Sequence, residues 1–138
     1  YNPLTKGSNS IKAVLPAILN TCDFLKNKYS KPISEINLTS INFDEKHLWI
    51  QIKDQKVINP YKLLPPIFNH FGKEELEHFI SGLDIISDGG AALTAYSKLQ
   101  FVDMSIKERA SIKKSLFKYC ELDTLAMVMI YEHLKTLV

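Results

Sequence analysis

Cysteine is nearly absent: Cys22 and Cys120 are the only two in 138 residues. Two thiols cannot make a disulfide framework, and their separation lacks the paired spacing of a zinc site. Both read as reduced thiols of a cytoplasmic protein, with Cys120 expected to be buried. Each of the four histidines, His47, His70, His78 and His133, stands apart from any other His or Cys at ligand spacing, which excludes a zinc site of that kind. Glycine is scarce, at five residues. Gly89-Gly90 neither follows a strand nor meets a Lys-Ser/Thr pair, so the pattern is no phosphate-binding loop. No serine sits in a nucleophile elbow. No apolar run approaches the ~20 residues that cross a bilayer, so no membrane partner is expected. Residues 1–7 carry no signal-peptide pattern. The sequence also lacks an initiating methionine, internal repeats and linkers. It reads as a single domain over 1–138, cut from a longer protein.

What is present is ordinary for a globular chain: 46% hydrophobic and 23% charged residues. The net charge of +2 is unevenly spread. Residues 1–34 hold five lysines and one aspartate, residues 35–88 five lysines and nine acids, and residues 89–138 seven bases and five acids. Basic ends around an acidic middle are compatible with terminal segments facing a polyanion such as nucleic acid.

Along the chain, Ser8 or Ser10 caps a helix on which Ile11, Val14, Leu15 and Ile18 share a face. Pro16 is expected to limit that helix to about two turns and to open a second segment. Lys12 points away from the apolar stripe, either solvated or facing a phosphate. Residues 23–29 read as helix and 33–45 as loop. Residues 47–52 are the best strand candidate, and a short hairpin is expected around 47–58. Residues 63–68 form an apolar, proline-stiffened crossing segment. Residues 73–83 and 91–99 read as helices, the second capped by Asp88. Ser105-Ile106-Lys107-Glu108 is a capping box that launches a basic helix. The expected fold class is α+β, mainly helical with a small antiparallel β-hairpin, its core formed by the last two helices.

The final helix holds the longest apolar run, residues 125–131, which predicts a helix buried on every side. Asp123 enters that run with Tyr119 one turn earlier on the same face. Such a pair suits a metal site. It suits equally an acid complementing a helix that restarts near Glu121, with a tyrosine that simply packs. Spacing leaves both open.

The sequence Tyr119-Cys120-Glu121-Leu122-Asp123-Thr124-Leu125-Ala126-Met127-Val128 resembles the third motif of the DEDDy branch of RNase H-like exonucleases. More narrowly, the chain is similar to the C-terminal part of a bacterial domain-of-unknown-function family (numbered 2779). The segments Gly7-Ser8-Asn9-Ser10-Ile11-Lys12-Ala13-Val14-Leu15-Pro16, Asn59-Pro60-Tyr61-Lys62-Leu63-Leu64-Pro65-Pro66 and Asp88-Gly89-Gly90-Ala91-Ala92-Leu93-Thr94-Ala95-Tyr96 carry that similarity, together with the closing helix. The resemblance implies the C-terminal half of an RNase H-like fold. It also implies 3′–5′ exonuclease activity with two Mg²⁺ or Mn²⁺ ions held by four acids. Asp123 matches the last of those acids, as catalytic residue and metal ligand, and Tyr119 the catalytic tyrosine that orients the attacking water. Lys12, Lys113, Lys114 and Lys118 are candidate nucleic-acid contacts.

The first acidic motif, Asp-x-Glu, and the second are missing from the sequence, and Asp84 and Asp88 stand in the wrong context to replace them. The segment is therefore expected to be inactive in isolation and to bind no ion tightly. Its partners would be the N-terminal remainder of its parent and, through the parent, nucleic acid. An apolar face left by the missing sheet points to self-association. The competing reading is a non-catalytic helical interaction module.

Overall fold

The computed structural model describes residues 2–65 and 89–138. The helix expected over 73–83, the Asp88 cap, His70, His78, Asp84 and the end of the crossing segment lie outside them. The described chain is mainly helical with one two-stranded antiparallel sheet, an α+β architecture. It divides into two compact units, Tyr1–Leu64 with Glu121–Val138, and Pro65–Cys120. Among the described residues no helix is long and apolar enough to cross a membrane.

In the first unit, helix α1 (Ile11–Thr21) runs straight through Pro16, contrary to the two-turn limit expected of it. The imino ring costs a helix about 3 kcal/mol. Against that, Leu15, Ala17, Ile18 and Leu19 are all buried, and each large apolar side chain contributes ~1.5–3 kcal/mol on burial. Burial wins, and the helix continues. Ser10 starts it through its carbonyl, which accepts from Ala13 and Val14 N–H, both at 2.9 Å. Helix α2 (Asp23–Tyr29) follows after Cys22, with Leu25 and Tyr29 facing inward.

The strand expected over 47–52 is largely absent. Trp49 and Ile50 are both buried, at 2% and 1% exposure, whereas a half-buried strand alternates faces. Their stretch spends its backbone bonds on the end of α2 and on the segment that follows it instead. Ile50 N–H donates to the Tyr29 carbonyl at 2.9 Å, Ile33 N–H to the His47 carbonyl at 3.0 Å, and Leu48 bridges Pro32. The hairpin itself is β1 (Ile52–Lys53) against β2 (Lys56–Val57). Asp54 and Gln55 join the strands with φ of 49° and 62°. Positive φ at both central residues is the two-residue turn whose twist matches the strands.

His47 stacks on Phe43 with centroids 3.6 Å apart, and both rings meet Trp49 edge-on. Burial pushes the His47 pKa below the ordinary histidine value, while the nearby Asp44 charge works in the opposite direction. A histidine harder to protonate when folded stabilises the fold above its unfolded pKa of about 6.5, and that stability is lost as pH falls through the folded value. Urea unfolding at neutral and mildly acidic pH should therefore show a loss on acidification that His47→Gln lacks.

The second unit contains α3 (Gly89–Phe101) and the first half of α4 (Ile106–Lys135). The Ser105–Glu108 capping box forms as expected: Glu108 N–H donates to Ser105 Oγ at 3.2 Å, and Ser105 N–H to Glu108 Oε2 at 2.7 Å. These bonds hold the Glu108 carboxyl below its usual range. Arg109 donates to the Leu99 carbonyl at 2.8 Å, satisfying a carbonyl that the last turn of α3 leaves over. Ala95, Leu99 and Ile112 form this unit's core, with Met104 and Leu116 against it.

The main core belongs to the first unit and differs from the expected pairing of the last two helices. Leu15, Leu19, Leu25, Tyr29, Ile33, Trp49 and Ile50 pack with Leu122, Ala126 and Met129 of α4. The apolar run of α4 is also not buried on every side. Leu122, Ala126 and Met129 face the core, while Met127, Val128 and Tyr131 are exposed at 56%, 44% and 63%. Cys22 is buried as a small apolar side chain, but Cys120 is exposed, against expectation.

Candidate functional site

Asp123, expected at a helix start, lies instead well inside α4, which is continuous from Ile106 to Lys135 with no restart near Glu121. The field of a helix terminus fades within one turn, so a helix-start role does not apply at this position. Asp123 has a specific partner instead. The Tyr61 hydroxyl donates to Asp123 Oδ1 at 2.7 Å, across 62 residues of sequence.

Tyr61 is placed by its turn. Pro60–Lys62 is a single 3₁₀ turn whose N-cap, Asn59, accepts the Tyr61 N–H through Oδ1 at 3.1 Å. Pro60 opens the turn and is buried, fixing φ where a proline costs nothing. Lys62 N–H to the Asn59 carbonyl at 2.9 Å and Leu63 N–H to the Pro60 carbonyl at 3.0 Å close it. The Lys12 ammonium, on the first turn of α1, lies 5.7 Å from the centre of the Tyr61 ring. That distance is within range of a cation–π attraction. The first unit thus brings two of the expected site residues, Lys12 and Asp123, onto a third that sequence reading passes over.

Next along the same helix, Glu121 anchors a loop. Its Oε2 accepts from Ser40 Oγ at 2.9 Å and Asn42 Nδ2 at 2.7 Å, and its Oε1 from Ile41 N–H at 2.7 Å. Ser40 Oγ in turn accepts from Asn42 and Phe43 N–H, each at 3.1 Å. Glu121 is therefore committed to structure, which leaves Asp123 as the carboxylate of the motif with functional potential.

Tyr119 is half-buried one turn before Asp123 on α4, as the spacing requires. Lys113 and Lys114 are exposed and Lys118 half-buried on the same helix, in the second unit. Lys12 belongs to the first.

A hard divalent ion takes about six or more oxygen ligands. Among the described residues no group of three or more His, Cys, Asp or Glu side chains comes together. Asp123 is a single carboxylate whose Oδ1 already accepts from the Tyr61 hydroxyl. The described residues do not fit the two-metal set that the resemblance implies. No protein-family model, curated protein or solved structure matches the chain.

Proposed function

We propose that this chain is the C-terminal segment of a DEDDy-like 3′–5′ exonuclease domain, RNase H-like in fold, within a cytoplasmic bacterial nucleic-acid-processing protein. The observation that carries the reading is the treatment of Asp123: a half-buried carboxylate oriented through one oxygen by a tyrosine on a proline-opened turn. A solvated surface acid needs no such support. Asp123 would supply one carboxylate to a site completed by the N-terminal remainder of the parent. Acids of that remainder, with Asp123, would hold Mg²⁺ or Mn²⁺, and the ions would supply the activated water. Tyr119 would orient the attacking water, and Lys12, Lys113, Lys114 and Lys118 would meet phosphates.

One observation favours the second reading, a helical interaction module: the exposed apolar face of α4 at Met127, Val128 and Tyr131. An Asp-x-Glu strand upstream in the parent supports the enzyme, and its absence supports the module. The isolated chain is expected to leave labelled single strands intact in Mg²⁺ or Mn²⁺. Asp123-dependent 3′ trimming by the isolated chain would overturn the proposed division of the site.

A further inference from the structure

We infer that the outer face of α4 in the first unit is a dimer interface, on which a second copy of this chain lays the same face antiparallel. The inference goes beyond the exonuclease reading and does not depend on it. The spacing comes first. Thr124, Met127, Tyr131 and Leu134 recur at intervals of three, four and three residues, and all four are exposed. That is the repeat of a helix seam that receives a second helix. The other side of α4 is already taken: Leu122, Ala126 and Met129 are buried in the core. Each of these lies two residues from a member of the outer row, about half a turn round the helix. The helix therefore carries two apolar seams, and the fold fills one. Val128 widens the second seam, and the Lys135 ammonium lies 5.6 Å from the centre of the Tyr131 ring, at its rim.

Charge names the occupant. Glu121 and Asp123 make the beginning of this face acidic, and Lys135 makes its end basic. Glu132, between them, is already neutralised by Lys28. Two copies laid in the same direction would bring acidic end to acidic end. Turned end for end, each copy offers its acidic end to the basic end of the other. The heptad then fixes the register. Met127 packs on Tyr131 of the second copy, Thr124 on its Leu134, and Val128 meets Val128 across the two-fold axis. Glu121 stands opposite Lys135. A thioether against a tyrosine ring is a favourable contact. One patch meeting its own copy in this way closes the assembly at two.

The test is sedimentation velocity of the complete polypeptide that contains this segment, over a concentration series through the micromolar range. Wild type, M127D, L134D and K135E are compared. The wild type is expected to dimerise. M127D and L134D should each raise Kd about a hundred-fold or more, while the thermal midpoint of the dilute monomer is retained. K135E makes the Glu121 contact repulsive at two symmetry-related places. It should raise Kd about ten-fold at low salt, an effect that added salt removes. A monomer throughout overturns the inference, as does a dimer that M127D and L134D leave intact or one that K135E leaves unchanged. A monomer whose Met127 resists peroxide would show that another segment of the parent covers the face, which overturns it too. None of the three substituted residues is proposed to meet metal or nucleic acid, so 3′ trimming decides the exonuclease reading separately.

Discussion

Glu121→Ala should destabilise the first unit by about 3 kcal/mol: hydrogen bonds to a charged acceptor are worth roughly 1.5–3 kcal/mol each and three are lost together, a sum that hydration of these part-exposed donors cuts by about half. The Ser40 hydroxyl, the Ile41 N–H and the Asn42 amide all converge on this one carboxylate. Removing it leaves three donors to find water, which offsets part of the loss, and frees the loop that carries Phe43. Phe43 stacks on His47 and meets Trp49, so the damage should reach the core. Glu121→Gln keeps an acceptor oxygen and should cost less than half as much. Urea unfolding followed by Trp49 fluorescence measures both, since this is the single tryptophan of the chain. Equal effects of the two variants would show that the charge and geometry of this carboxylate are not what hold the loop.

The second large effect is expected at Glu132. Its Oε1 pairs with Lys28 Nζ at 2.5 Å, and its Oε2 accepts from the Tyr29 hydroxyl at 3.0 Å. Tyr29 is 1% exposed, and its pKa is pushed well above the usual tyrosine range by burial, by this hydrogen bond and by the Glu132 charge. Glu132→Ala takes the acceptor from a buried phenol and the counter-ion from a partly buried lysine. A buried donor left without a partner costs about 1–3 kcal/mol, and the lost ion pair adds to it, so a loss of about 2–4 kcal/mol is expected. Tyr29→Phe in the same background should recover part of that loss by removing the stranded hydroxyl. A double-mutant cycle reads the coupling directly.

Local signals are legible in the sequence and long-range ones are not. The capping box at Ser105 and Glu108, the two-residue turn at Asp54-Gln55 and the stop after Tyr29 each depend on near neighbours in the chain, and each forms where the sequence puts it. Pro16 misleads because propensity describes an isolated helix. The buried side chains around it outweigh its cost, and their burial depends on residues as distant as Trp49 and Leu122. Trp49 and Ile50 mislead for a related reason: β-branched and aromatic residues suit a strand, but these two fill the core from an irregular segment.

The site divides along the same line. Lys12, Tyr119 and Asp123 are visible through motif and spacing. Tyr61 is not, although Asn59-Pro60 announces a capped turn, because no periodicity points from residue 61 to residue 123. Glu121 is only the point near which spacing allows a helix to restart, and the fold gives it Ser40, Ile41 and Asn42. The exposed side of α4 at Met127, Val128 and Tyr131 is hidden by composition: an apolar run does not say which of its faces finds a neighbour.

The most direct test of the central claim is 3′ trimming of end-labelled DNA and RNA single strands by the complete polypeptide, with and without Asp123→Asn, in Mg²⁺ and Mn²⁺. The exonuclease reading predicts metal-dependent loss of nucleotides from the 3′ end, slowed about 10³-fold by D123N, equivalent to roughly 4 kcal/mol of barrier, with the fold intact by circular dichroism. Trimming by D123N at the wild-type rate would contradict it.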